Sequence, residues 1–202
     1  MHFSEIRIIG GIWRSRKIRF PKIPARPTPD RVRETLFNWL EPVIHNARCL
    51  DLFAGTGALS FEALSRGAAE VLCIEKDPLS IDTLEENKKS LQAHGMQIIH
   101  MDVMHWLVSQ TELYAKSATQ SEHTLPFDIV FVDPPYAAAL LPGCFKALEP
   151  LLKPQTFIYF EHNAPVTSDE LPQSWELLRQ KKAGQVYYHL VQKSPRLTPA
   201  PF

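Results

Sequence analysis

Residues 48–58 read Arg48-Cys-Leu-Asp-Leu-Phe-Ala-Gly-Thr-Gly-Ala58. A short apolar run enters a loop with two glycines, and the next stretch, near 57–66, has the pattern of an amphipathic helix. Strand, glycine loop and helix in this order open a unit of an α/β sheet, with the loop at the carboxyl end of the strand, where such sheets bind ligands. The pattern repeats downstream. Apolar runs near 48–53, 71–75, 97–101, 127–132 and 156–161 read as strands, and the stretches near 57–66, 78–93, 102–110 and 139–149 as helices. This alternation predicts a mostly parallel sheet covered by helices on both faces. Two apolar-aromatic runs within 175–193, separated by Ala183-Gly184-Gln185, add a closing hairpin and bring the expected Rossmann-like α/β sheet to seven strands.

Upstream, residues 5–20 alternate apolar and basic positions around Gly10-Gly11, which predicts a small β-hairpin. Ile8, Ile12 and Ile18 would share its apolar face and several basic residues the other. Pro21, Pro24, Pro27 and Pro29 mark a stiff connector. Thr28 or Asp30 then caps a helix to about Leu40, with Val32, Leu36, Phe37 and Leu40 at helical spacing. The organisation expected is a basic hairpin and connector over 1–25, a main domain over 26–193 and a frayed tail over 194–202. Residues 110–126 read as a long surface loop.

A chain of 202 residues, 45% hydrophobic and 22% charged, has enough apolar material for one compact domain with a small appendage. Its formal net charge of zero conceals an asymmetry. Residues 1–33 carry nine basic side chains and two acidic ones, and the remainder is correspondingly acidic. The N-terminal part therefore suits an anionic partner. Cys49, Cys73 and Cys144 are far apart, and neither they nor the eight histidines show metal-ligand spacing, so no metal is expected. Nothing approaches the roughly 20 apolar residues of a membrane span, and no signal peptide is visible, so a reducing cytoplasm is the expected setting.

The loop chemistry narrows the ligand. Gly55 and Gly57 remove Cβ atoms that would block a close backbone approach. Ser60 stands where the dinucleotide fingerprint has its third glycine, and no Gly-Lys-Ser/Thr follows to cradle a triphosphate. Acids end three successive strands: Asp51, then Glu75, placed to accept from ribose hydroxyls, then Asp102, placed to accept from an adenine amine. Three acids, a glycine loop and no phosphate-binding lysine suit an adenosyl ligand without pyrophosphate, which is S-adenosylmethionine. Phe53, Lys76 and Val103 adjoin these positions and join the expected cofactor set.

The fourth strand ends in Asp133-Pro134-Pro135-Tyr136. Two prolines stop a strand, since neither donates an N–H, and leave carbonyls unpaired by the sheet. An exocyclic base amine is a poor nucleophile because its lone pair is delocalised into the ring. The Asp133 carboxylate and the Pro134 carbonyl are two acceptors able to hold both of its N–H bonds, and Tyr136 can stack on the base. The turn treats guanine N2 and adenine N6 alike. Methylation of DNA adenine, methylation of a protein glutamine amide and a non-catalytic RNA-binding role remain open at this point.

With both motifs placed, the chain resembles the RsmD-like family of bacterial 16S rRNA (guanine-N2-)-methyltransferases from about Arg7 to Lys193. The segments that carry the likeness are Arg7-Ile-Ile-Gly-Gly-Ile-Trp-Arg14, Arg26-Pro-Thr-Pro-Asp-Arg-Val-Arg-Glu-Thr-Leu-Phe-Asn-Trp-Leu40, 48–58, Glu62-Ala-Leu-Ser-Arg-Gly-Ala-Ala69, the Asp133 turn and Lys182-Ala-Gly-Gln-Val186. The resemblance implies a class I methyltransferase fold. It implies a guanine N2 target in 16S rRNA, within an assembled or assembling 30S particle, and a cofactor site lined by Asp51, Gly55, Gly57, Glu75 and Asp102. It further implies that Arg31 and Glu34, on the helix after Thr28, close over the cofactor's amino-acid end. Arg7, Arg14, Arg16, Lys17 and Arg19 are the expected RNA contacts, and the enzyme is expected to act as a monomer.

Overall fold

The computed structural model describes residues 3–21, 28–116, 125–135 and 137–194. Most of the proline connector, the centre of the 110–126 segment, Tyr136 and nearly all of the expected tail lie outside the described residues. Two strands, β1 (Phe3–Arg7) and β2 (Lys17–Pro21), precede the helix α1 (Asp30–Ile44). The alternating part follows as β3 (Arg48–Asp51), α2 (Ala58–Ser65), β4 (Glu70–Glu75), α3 (Pro78–Leu91), β5 (Met96–His100), α4 (Val103–Lys116), β6 (Ile129–Val132), α5 (Ala137–Leu148) and β7 (Phe157–His162). The expected closing hairpin is β8 (Trp175–Ala183) with β9 (Val186–Lys193).

The seven-stranded sheet has the order β5-β4-β3-β6-β7-β9-β8. Strands β3 to β7 pair in parallel, and β9 runs antiparallel to both β7 and β8. The chain steps outward from β3 to β4 and β5, then returns to lay β6 on the other side of β3. The carboxyl ends of β3 and β6 therefore flank the point where strand order reverses, the usual ligand crevice of an open α/β sheet. All four residues of β6 are buried, as expected for a central strand covered on both faces. One core layer gathers Leu36, Phe37 and Leu40 of α1, Phe61 of α2 and Leu84 of α3. The opposite layer gathers Trp106 and Leu107 of α4 with Phe145 and Leu148 of α5. No helix among the described residues is long and apolar enough to cross a membrane.

The N-terminal hairpin forms, but Gly10-Gly11 is not a two-residue tip. Pairing extends past Arg7↔Lys17 to Ile8, whose N–H donates to the Arg16 carbonyl at 2.9 Å, and a longer loop folds back over α2. There the Ile12 N–H donates to the Ser65 carbonyl at 2.8 Å. A Cβ on Gly11, which has φ +75°, would lie 1.7 Å from that same carbonyl oxygen, so this contact requires glycine. Ile8 and Ile18 are buried as expected, whereas Ile12 rides the outside of the loop at 79% exposure. The hairpin is not a separate appendage: Ile6, Ile8, Ile18 and Phe20 belong to the same core layer as α1 and α2.

Three other expectations are corrected. Helix α2 is buried on every side rather than amphipathic, because the hairpin loop covers what would be its solvent face. Helix α1 begins after Pro29 without a side-chain cap and runs to Ile44, through Pro42. Thr28 is spent elsewhere, and Asp30 is bonded to Arg7 and Arg33. Helix α4 continues to Lys116, so the first part of the supposed loop at 110–126 is helical.

His189, on β9, is fully buried and lies flat on Phe160, with centroids 4.5 Å apart and planes 8° apart. Burial pushes its pKa down to about 4. The unfolded chain, with an ordinary histidine near 6.5, binds the proton first, so this residue's contribution is present above about pH 6.5 and is lost as pH falls towards 4. Denaturant titrations of His189→Phe against wild type should show the variant gaining about 2–3 kcal/mol of relative stability between pH 7.5 and pH 4. A gap that stays constant with pH would contradict a neutral buried imidazole.

Candidate active site

A cavity of about 520 Å³ opens at the carboxyl ends of the parallel strands. Its wall includes Asp51, Phe53 and Gly55 from the glycine loop, Glu75 and Lys76 after β4, Asp102 and Val103 after β5, and Asp133, Pro134 and Pro135 after β6. Residues drawn from distant parts of the sequence meet there because each follows a parallel strand.

The acids do more than face the cavity. Glu75 accepts three backbone N–H bonds, from Gly55 at 2.7 Å and from Lys76 and Asp77 at 2.8 Å each. It thereby ties the glycine loop to the end of β4. Asp102 caps α4 by accepting from the Met104 N–H at 2.9 Å, and its other oxygen lies 3.8 Å from Lys76 Nζ. Asp51 is buried. Its Oδ2 accepts from the Ser60 hydroxyl at 2.6 Å, while Oδ1 has no partner among the described residues. Burial raises its pKa to about 6, against the Ser60 bond, which lowers it.

The two loop glycines serve different purposes. Gly55, at φ +49°, would meet only the Phe53 carbonyl oxygen, at 3.8 Å, with a Cβ, and it lines the cavity, so a side chain there would compete with a ligand. Gly57, at φ +75°, does not line the cavity. A Cβ on it would come within 2.5 Å of Leu84 Cδ2 and 2.7 Å of Phe61 Cε2, so it permits the loop to seat against α2 and α3. Arg31 and Glu34 are exposed on α1, outside the cavity wall, and Thr28, just before that helix, is the residue that reaches the site.

Thr28 donates to Asp133 Oδ2 at 3.3 Å. Burial raises the Asp133 pKa well above the ordinary carboxylate range, and the neighbouring charges of Glu161 and Asp51 raise it further. Pro134 is buried and Pro135 exposed; Tyr136 lies outside the described residues. Glu161, His162 and Asn163, at and after the end of β7, complete the wall. The sequence reading missed Glu161, although the signal that identified Asp51, Glu75 and Asp102, an acid closing an apolar strand, is present in Phe157-Ile-Tyr-Phe-Glu161.

The expected RNA contacts lie on the hairpin, away from the cavity. Arg7 pairs with Asp30 at 2.8 Å and Lys17 with Glu5 at 2.9 Å. Arg16 donates to the Ser90 carbonyl at 3.0 Å, and the Arg19 guanidinium sits 4.8 Å from the Phe3 ring centroid. Arg14 is exposed and has no side-chain partner among the described residues. Exposed ion pairs of this kind hold by about 1 kcal/mol or less, so these side chains are available to phosphates.

The cavity suits an adenosyl cofactor on its own evidence. It offers an unpartnered buried carboxylate oxygen, a glycine whose Cβ would intrude, and acids at the ends of β4 and β5. Strand order, glycine loop and acid placement are together those of a class I, Rossmann-like methyltransferase fold. A family model described as Conserved hypothetical protein 95 matches residues 6–192. Ribosomal RNA small subunit methyltransferase D of Escherichia coli (strain K12) is 44% identical over 193 residues, covering 94% of this chain and 91% of that protein. The protein of the same name from Haemophilus influenzae is 40% identical over 195 residues, covering 94% of each. The solved structure of the putative methyltransferase yhhF from Escherichia coli matches with a TM-score of 0.78 at 42% identity, over 95% of this chain and 99% of that one. The chain belongs to this family, the RsmD-like family that its sequence resembles.

A carboxylate with a pKa near 6 attracts a cationic ligand only once ionised. Calorimetric titration with S-adenosylhomocysteine, which carries an ammonium group, should show affinity rising as pH passes upward through about 6. Asp51→Asn should weaken binding at pH 8 by about tenfold or more, as expected for loss of one charge-assisted bond, and flatten that profile. An unchanged profile would remove Asp51 from the cofactor site.

Proposed function

We propose that this chain is an S-adenosylmethionine-dependent enzyme that methylates small-subunit ribosomal RNA, at the exocyclic N2 amine of a guanine in 16S rRNA. The observation that carries the reading is the position of Asp133. It ends the strand beside β3, so it shares one cavity with the glycine loop and with Asp51, Glu75 and Asp102. Names borne by the relatives support the ribosomal substrate, and the basic hairpin supports RNA as the polymer.

Asp51, Phe53, Gly55, Glu75, Lys76, Asp102 and Val103 would hold the cofactor. Gly57 would act indirectly by shaping the loop, and Arg31 and Glu34 would reach the site only by a movement of α1. Bound there, S-adenosylmethionine supplies an electrophilic methyl group. Asp133 and the Pro134 carbonyl each accept an N–H of the target amine, which fixes its orientation and directs its lone pair into the cavity. Methylation leaves the amine positively charged, so it loses a proton readily and needs no strong base. Asp133, whose pKa burial has raised, is suited to take that proton. Tyr136 would stack on the base. The substrate is an assembled or assembling 30S particle, and the enzyme acts as a monomer.

Incubation with labelled cofactor and naked rRNA, 30S particles, DNA or protein should transfer methyl groups to the small-subunit rRNA, and transfer to none of these would overturn the enzyme reading. Asp133→Ala should retain S-adenosylhomocysteine affinity while losing transfer by about 100-fold or more; retained turnover would refute its role. Mass spectrometry of 16S rRNA from a strain lacking the gene should show one missing N2-methylguanine.

The hairpin makes a separate prediction. Each neutralised phosphate contributes about 0.7–0.9 to the slope of log affinity against log salt. The Arg14/Arg16/Lys17 triple alanine variant should reduce the slope measured for the RNA substrate by about 2. An unchanged slope would take the hairpin out of the RNA site.

A further inference from the structure

Asp133 and Pro134 grip an amine without distinguishing guanine N2 from adenine N6, yet the proposed enzyme acts on guanine. We propose that Glu161 supplies the distinction by accepting the ring N1–H of guanine, next to the amine held by Asp133. This inference rests on the guanine reading above and deepens it.

The geometry comes from strand register. β6 and β7 pair in parallel through Val132↔Phe160, so Asp133 and Glu161 are the next residues on neighbouring strands, which run roughly 4.8 Å apart. Both line the same cavity as Pro134. Glu161 is held from behind, since the buried Tyr159 hydroxyl donates to its Oε1 at 2.7 Å. That bond leaves the carboxylate further acceptor capacity on the cavity side of the strand end. Tyr159 itself is fixed in the core against Phe131 at 6.4 Å between centroids, so the carboxylate is positioned by packed side chains. Burial raises the Glu161 pKa, while the bond from Tyr159 favours its charged form.

The chemistry is asymmetric between the two purines. Beside its exocyclic amine guanine presents a ring N–H, a donor, whereas adenine presents a bare ring nitrogen, an acceptor. A carboxylate beside Asp133 pairs with the first and opposes the lone pair of the second. A site built to accept an N–H also rejects strongly any analogue that lacks it, because its polar group is left unpaired. No proton need move at Glu161 during the reaction; N1 keeps its hydrogen and the proton lost by the amine goes to Asp133.

The test uses the full chain and small-subunit particles in which the modified guanine, once mapped by mass spectrometry, is replaced by 2-aminopurine. This base keeps the 2-amine and lacks the N1–H. Wild type should lose about 10- to 100-fold in kcat/KM on the 2-aminopurine particle, the range of one hydrogen bond to a charged group. Particle affinity of the S-adenosylhomocysteine complex should fall with it. Glu161→Ala should lose a similar factor on guanine, with S-adenosylhomocysteine affinity unchanged, and should lose little more on 2-aminopurine. Glu161→Gln, which keeps a carbonyl acceptor, should fall between the two. Losses that multiply, or equal wild-type rates on both bases, would overturn the inference. Should Glu161→Ala not fold, as judged by cofactor binding, the wild-type and Glu161→Gln comparisons still decide. If wild type instead yields methyladenosine, the guanine reading itself has failed, an outcome separate from the others.

Discussion

The buried carboxylate of Glu62 is the junction through which three parts of the chain are held in register. It sits in the middle of α2 with no solvent exposure. Its Oε2 accepts the Ile9 N–H and its Oε1 the Gly10 N–H, both at 2.8 Å, and Oε1 also accepts from Arg66 Nε at 2.8 Å. Arg33 of α1, itself fully buried, brings Nη1 within 3.5 Å. An ion taken out of water costs several kcal/mol unless its hydrogen-bonding capacity is filled by well-placed partners. Here two backbone amides of the hairpin loop and the Arg66 guanidinium fill those hydrogen bonds, and the Arg33 guanidinium of α1 adds an ion pair. Because the charge is tolerable only when all of them arrive, the hairpin loop cannot lift away without stranding it.

The site inherits this arrangement. Glu62 holds α2 against the hairpin, and α2 begins where the glycine loop ends, so the loop is fixed at one end by the clamp and at the other by β3. Glu75 then fixes its middle through the Gly55 N–H. On the other side, Arg33 also donates to the Arg7 carbonyl and to Asp30, both at 2.8 Å. These bonds seat the start of α1, which sets Thr28 against Asp133. The hairpin is thus wired to Asp133 through a few charged contacts, although its own basic residues lie outside the cavity. The hairpin and the Asp133 carboxylate share one bonded frame.

What was legible in the sequence follows from which interactions are local. The strand, glycine loop and helix at 48–66, the acid at each strand end and the Asp133 turn can be read because each is set by neighbours along the chain. The closing hairpin was legible for the same reason. Non-local requirements were not. The exposed Ile12 breaks the alternation because the loop bends to meet Ser65, more than 50 residues away. Helix α2 looked amphipathic because Ser60, Glu62 and Ser65 are polar, and only the fold shows Asp51, the Glu62 clamp and the Gly10 carbonyl filling their hydrogen bonds. Thr28 resembled a cap because threonine before a helix usually is one; its partner lies 105 positions later. Glu161 carried the same strand-end signature as the other acids and gained meaning only from the β6–β7 register, which no local pattern encodes.

The charge asymmetry of the sequence acquires a physical sense in this frame. The cavity wall holds Asp51, Glu75, Asp77, Asp102, Asp133 and Glu161, with Lys76 as its basic member. Such a wall repels a phosphate and welcomes donors: an ammonium, ribose hydroxyls, the N–H edge of a base. On the function proposed above, a polyanionic substrate would deliver a neutral base into the pocket while its backbone stays outside it, towards Arg14, Arg16, Lys17 and Arg19 on the hairpin. Had the same charges been mixed, the phosphates would compete for the pocket and the base would have no reason to enter it. For the substrate proposed above, separation of charge between the first 33 residues and the rest would keep phosphate outside and base edge within.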